Sequence, residues 1–224
     1  MLGSATMDGR SGATRMLLVA IASLALAAWA GTSRAAAIGA QLGVDRSGVD
    51  GDTPPNSGYV DKDGLVAGIQ GEIGFAHDLS LSLQPSYVQK RSGVQTAAST
   101  RGAEPIEHAL SFDYVSVPLL VKFAKAGGRT YVAGGISVDF LSSATLSGDD
   151  VKSAFNSSGF GAILGFGVVF PAGRTRITTE LRLVQGISNM NSGGVAAAAG
   201  ALSPRLHSSG LQLIFGGLLP VGKR

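Results

Sequence analysis

Apolar and polar residues alternate with a period of two through most of this chain, and that habit decides what it can fold into. Leu65, Ala67, Ile69, Ile73 and Phe75 are interleaved with Gly68, Gln70, Glu72 and Gly74. Phe160, Ala162, Leu164, Phe166, Val168 and Phe170 alternate mainly with glycine. Ile177, Thr179, Leu181 and Leu183 alternate with Arg176, Thr178, Glu180 and Arg182. Eight such runs stand out, at residues 38–45, 65–75, 79–87, 115–123, 132–140, 160–170, 177–183 and 211–215. Period two belongs to extended strands whose two faces meet different surroundings.

The connections between the runs are of two kinds. Residues 76–78, 124–128 and 171–174 are short, whereas 47–64, 92–107, 141–158 and 188–207 are long, polar and rich in Gly and Ser. Short and long alternate strictly along the chain. A soluble sandwich has no reason to sort its loops by length. A transmembrane barrel does, with tight turns at the periplasmic rim and longer loops outside. The expected fold is all-β: an eight-stranded antiparallel up-and-down transmembrane β-barrel with both ends at the periplasmic rim.

Of 224 residues 45% are apolar and only 15% charged, against roughly 25% charged in soluble domains. Cysteine is absent, which excludes disulfides, thiolate metal sites and a Cys nucleophile. The net charge of +3 includes Asp8, Arg10, Arg15 and Arg34; without them 15 basic residues face 14 acidic ones. No basic footprint for nucleic acid survives. Arg10 and Arg15 precede an apolar run at 16–30, followed by small-x-small sites at Ala28-Trp29-Ala30 and Ala35-Ala36-Ala37. That order is a secretory signal peptide's, and the run falls short of the ~20 residues a membrane-spanning helix needs. The expected organisation is a signal peptide at 1–37 and a barrel domain at 38–224. Membrane crossing then falls to strands, which in a closed barrel satisfy their own hydrogen bonds.

Alternation alone does not say which face is inside. A secreted soluble lipocalin-like barrel holding an apolar ligand alternates as well. Two features favour the membrane. Arg46, Arg91 and Asp113 share the apolar parity but fall only beside long connections. The opposite parity is mostly Gly, Ser, Thr and Gln with isolated charges, too few for a water-facing exterior but suited to a narrow, filled lumen. Exposure of Val117, Leu119, Val121 and Leu181 separates the two readings. Phe75, Phe123, Tyr131 and Phe170 sit beside the short turns, as a ring of interfacial anchors would. Pro118 lies inside a run, where a bulge or kink is expected.

The segments LSLSLQPSYVQKRSG (79–93), FDYVSVPLLVKF (112–123), YVAGGISVDFL (131–141) and ELRLVQGISNM (180–190) together resemble the PorT-like outer-membrane β-barrel domain. The most specific part is Val-Pro-Leu-Leu-Val-Lys at 117–122, and the resemblance covers about residues 38–220. It implies an eight-stranded, porin-like barrel in a Gram-negative outer membrane and carries over no catalytic residue. Such barrels usually finish on an aromatic residue; here the last one, Phe215, stands nine residues before Arg224.

Glu72, Lys122, Asp139, Glu180 and Arg182, with Arg176, share the inward parity. Charges in a low-dielectric interior must pair, and eight strands leave a lumen just wide enough for side chains. They are read as a structural polar network plugging the lumen rather than lining a channel. His77, His108 and His207 are scattered, so neither a metal site nor a cofactor is expected. His207-Ser208-Ser209 is similar to the His-x-Ser spacing of outer-membrane lipid A deacylases, since residues two apart share a strand face. Glu180 is the one candidate for the orienting carboxylate of such a lipid hydrolase. Asp45, Asp50, Asp52, Asp61 and Asp63 crowd the first long connection without the spacing of a calcium loop and read as a solvated loop. The Gly/Ala run at 193–200 is low-complexity. The expected function is non-enzymatic: a monomeric barrel with a structural or surface-binding role, outer-membrane lipid around it, and an external ligand or protein partner left open.

Overall fold

The computed structural model describes residues 36–51, 57–96, 106–125, 127–190 and 206–221. The leader up to residue 35, Asp52 and the Gly/Ala run at 193–200 lie outside the described residues. The strands are β1 (Ala36–Gly51), β2 (Ser57–Gly74), β3 (Leu79–Leu83), β4 (Ser86–Thr96), β5 (Ile106–Phe123), β6 (Thr130–Leu146) and β7 (Asp149–Asp150). A 3-10 turn at Lys152–Ala154 follows, then β8 (Ser158–Ala172), β9 (Thr175–Gly186) and β10 (Leu206–Val221). Among the described residues no helix is long and apolar enough to cross a membrane.

All pairings are antiparallel, and β1 pairs with both β2 and β10, so the sheet closes on itself. β3 and β4 are two halves of one leg, held between β2 and β5, and β7 is a short spur on β6. The result is an eight-legged up-and-down barrel. Turns at one rim are tight. Between β8 and β9 the chain reverses at Gly173 and Arg174, and Gly173 has φ +63°, a conformation that favours glycine.

The break between β3 and β4 and the proline in β5 are one feature. The ladder continues in register from Leu83↔Leu119 to Ser86↔Ser116, which sets Gln84-Pro85 against Val117-Pro118. Neither proline has an N–H to give. Gln84 N instead donates to Pro118 O at 3.0 Å, and Ile69 N to Pro85 O at 3.0 Å. The bulge expected at Pro118 is absent: its pairing with Ser137 continues without a shift. Pro118 withholds a donor from the ladder with the β3–β4 leg and Pro85 withholds one from the ladder with β2, so each ladder is interrupted without being displaced.

The register does shift higher up, between Asp113 and Tyr114 of β5, where β6 carries Ser142 as an extra residue. Leu141 faces inward before it and Ala144 after it, so the inward parity of β6 inverts there. β2 has a second irregularity between Lys62 and Val66.

Two sequence expectations need correction. The connection at 47–64 is largely ladder and those at 92–107 and 141–158 are partly so, since strands run on to Gly51, Thr96 and Leu146 and resume at Ser57, Ile106 and Ser158; in the described part of 188–207 only Leu206 and His207 are in strand. Five strands reach 16 to 18 residues, whereas crossing lipid takes about 9–11. Beyond the membrane the outer face meets water while Leu110, Phe112 and Leu206 turn inward and are buried, so the outward apolar parity stops while the hydrogen bonds continue. The second correction concerns the lumen, which is less polar than its parity suggested. Val66, Val88 and Ile214 form one buried inward cluster, and Leu120, Tyr131, Ala133, Ile163 and Val184 another.

The apolar parity faces outward. Leu119 is 38%, Val121 44% and Leu181 47% exposed, and Val117 is half-buried. Leu42, Leu65, Leu164, Phe166, Leu183 and Phe215 join them in an exposed belt. A soluble carrier would bury this set around its ligand, so the lipocalin-like reading is set aside. Only acyl chains make an apolar belt of this extent stable.

Candidate functional site: the filled lumen

At the short-turn end of the lumen, acids and bases from three legs meet. Lys122 Nζ on β5 lies 3.3 Å from Glu72 Oε2 on β2 and 3.7 Å from Glu180 Oε2 on β9. Arg182 Nε donates to Glu180 Oε1 at 2.5 Å, and its NH2 donates to Gln84 Oε1 at 2.5 Å. The Tyr131 hydroxyl on β6 donates to Glu180 Oε2 at 2.5 Å, and Lys122 Nζ stands 4.8 Å from the Tyr131 ring centre. Arg176 NH1 closes the group toward the short turns, 3.1 Å from Glu72 Oε1. Glu180 thus has both oxygens occupied by charge-assisted bonds, the strong kind in a dry interior. Gln84 continues the chain sideways: its Nε2 donates to Ser82 Oγ, and Gln41 Nε2 donates to Ser86 Oγ.

Four of the five charged residues read from the sequence come together here, and Asp139 does not. It sits farther along β6, where Ser116 and Ser137 donate their hydroxyls to its carboxylate. The sequence reading also missed two groups. Asp45, assigned to a solvated loop, lies in β1, is fully buried and accepts from Gln212 Nε2 at 2.9 Å. Lys90 is buried on β4, donates to Ser208 Oγ at 3.1 Å and lies 5.2 Å from the Tyr114 ring centre. Both follow the inward parity of their strands, and that parity was the signal available. Asp61 and Asp63 are exposed on β2; the side chain of Asp50 is outside the described set.

The outer mouth is closed by apolar side chains. Leu110, Phe112, Tyr114, Leu141, Ala144, Phe155 and Leu206 form a buried cluster, with Val151, Ala154 and Met190 packed on it. Phe155 folds in from the segment after β7 and meets Phe112 edge to face, ring centres 4.8 Å apart. Among the described residues, voids of about 10 and 20 Å³ border Lys90, Tyr114 and Asp139, room for about one water each. At the other end a vestibule of about 960 Å³ opens at the short-turn rim, bordered by Glu72, His77, Asp78, Arg174 and Arg176. It stops at the salt bridges.

Of the four rim aromatics, Phe75, Phe123 and Phe170 are exposed on the belt. Tyr131 is the exception. It is 4% exposed and points into the lumen, because its hydroxyl has a carboxylate to bond there.

His77 and His108 are exposed, the latter 3.3 Å from Ser147 Oγ, and His207 is half-buried. Among the described residues no group of acids and histidines is arranged to hold a metal. The hydrolase arrangement lacks the carboxylate assigned to it. Glu180 faces the lumen within the ionic network, while His207 and Ser209 have the parity opposite to Ser208, which faces inward to Lys90. Backbone register sets Asp50 of β1 opposite His207.

A closed ring, an outward apolar belt and a filled interior define a transmembrane β-barrel of the outer membrane. Residues 25–192 match the family described as outer membrane protein beta-barrel domain, and the chain belongs to it. Among solved structures it is similar to the outer membrane protein OprG from Pseudomonas aeruginosa, at 12% identity and a TM-score of 0.56, over 85% of this chain and 97% of that one. It is also similar to Ail, the attachment invasion locus protein of Yersinia pestis, in complex with the heparin analogue sucrose octasulfate, at 17% identity and a TM-score of 0.45, over 83% of this chain and 98% of that one. No curated protein matches it. At these identities the likeness speaks for the fold alone.

Proposed function

We propose that this chain is a non-enzymatic, monomeric outer-membrane barrel whose lumen is a structural plug and whose collar of extended strands serves a structural or surface-binding role. The obstructed axis carries the reading: an ion-paired network at one end, an aromatic cap at the other, and voids of about 10 and 20 Å³ between them. Such an interior supports the barrel and passes no solute. Loops and strand ends on a rigid scaffold are where binding residues gather. The PorT-like resemblance at 117–122 is the finer family placement that accompanies this reading.

Planar-bilayer recordings of the folded protein test it. We expect no stepwise conductance; regular open steps from the unmodified chain would overturn the plug. Removal of the leader is part of the proposal. β1 already includes Ala36 and Ala37, only 6% and 5% exposed and paired on both sides. Cleavage after Ala30 leaves that strand whole, whereas cleavage after Ala37 removes two of its paired residues. N-terminal sequencing of the outer-membrane form is expected to begin at Gly31.

A further inference from the structure

Among the described residues the turns of the short-turn rim carry their exposed positive charge on one side only. Lys125 and Arg129 stand on the β5–β6 turn and Arg174 on the β8–β9 turn, all exposed. None of the three makes an ion pair with a described residue. Gly128 N donates to Lys125 O at 2.8 Å, and Gly127 takes φ +72°, which fixes the tight turn that presents Lys125. Val169 N donates to Arg129 O at 2.6 Å, tying the first turn to the end of β8 and setting the two hairpins side by side. Exposed Phe123 and Phe170 end the apolar belt on the same two hairpins. The third hairpin, β2–β3, has His77 and Asp78 in its turn and no Lys or Arg there. At the opposite end the described collar exposes Asp61, Asp63, Asp149 and Asp150 against Arg46 and Arg91.

We propose that the arc of Lys125, Arg129 and Arg174 is a binding surface for anionic phospholipid headgroups of the periplasmic leaflet. The proposal rests on the barrel lying in the membrane with its short turns toward the periplasm. Headgroups then lie against this rim by necessity, because the phenylalanines just above it mark the edge of the acyl region. Three unpaired cations within one arc draw anionic headgroups over zwitterionic ones, across distances shorter than a Debye length. A phosphodiester also accepts hydrogen bonds from the planar guanidinium of Arg129 or Arg174.

The full folded chain is reconstituted in nanodiscs of phosphatidylcholine and phosphatidylglycerol in equal parts, gently delipidated, and its retained lipid measured by mass spectrometry. Phosphatidylglycerol is expected to be retained several-fold over phosphatidylcholine. That preference is expected to fall to parity at high salt and in the K125Q/R129Q/R174Q variant, and to persist in R46Q/R91Q, which alters only the opposite collar. Parity in the unmodified protein, or a preference that survives the triple substitution, overturns the proposal. Heat-dependent gel mobility in either lipid reports separately on the barrel. A folded, heat-sensitive band with parity of lipids sinks the headgroup site alone, and no such band sinks the membrane reading together with it.

Discussion

The two ends of the lumen are filled by opposite chemistries. Toward the short turns, Glu72, Lys122, Glu180, Arg182 and Arg176 neutralise one another in direct contacts. Toward the outer mouth, Phe112, Tyr114 and Phe155 pack as in a soluble core. The charged groups below them, Lys90, Asp45 and Asp139, are held by hydroxyls, amides and a ring instead of by opposite charges. The ionic end depends on every partner being present. The aromatic end depends on volume, and its cap includes Phe155 from the segment after β7.

Single substitutions break or sharpen this contrast. The largest effect is expected from Arg182→Ala, which leaves Glu180 Oε1 and Gln84 Oε1 without their donor in the interior; removing one partner of a buried pair costs about 4 kcal/mol. Urea unfolding in vesicles, followed by heat-dependent mobility, measures it, and a loss near zero would mean water reaches that end. Phe155→Ala comes next, at about 3 kcal/mol from lost packing, with new protease cleavage near Lys152 as a second readout. Lys122→Met against Lys90→Met is the direct comparison. The first removes two carboxylate contacts and the second none, so the costs are expected to differ by about 2 kcal/mol. Equal costs would show that Lys90 is as firmly compensated as Lys122. The smallest effect belongs to Arg176→Gln, whose side chain is 41% exposed. Solvent screens that pair, and its loss is expected to cost under about 1 kcal/mol and to vanish at high salt.

What the sequence disclosed follows from where the surroundings differ across a strand. Leu119, Val121 and Leu181 stand out because lipid on one face and lumen on the other impose alternation, so the membrane-crossing part was legible. Past Arg46 and Arg91 the outer face meets water and the apolar residues, Leu110, Phe112 and Leu206 among them, turn inward, so the outward apolar pattern stops and the upper strands read as loop although their ladders continue. Ser142 defeats the method differently: one extra residue inverts the inward parity of β6, so Leu141 and Ala144 face the same side. Tyr131 was misplaced because residue type says nothing about whether a carboxylate waits inside. The pairing of Lys122 with both Glu72 and Glu180 depends on the stagger between strands far apart in the chain, and local spacing does not encode stagger. Asp139 shares the parity of that group and misses it by height alone.

The seam between β1 and β10 joins Ala36 to Val221. Neighbouring hairpins form between residues close in the chain, but this last zipper waits for the far end of the polypeptide to be made. Until then the half-built cylinder has two raw margins of unpaired amides, which hydrocarbon does not forgive. Insertion and closure are therefore bound into a single slow, cooperative event dominated by its most distant contact, and the newly exported polypeptide must be kept from sticking to its neighbours until that event is complete.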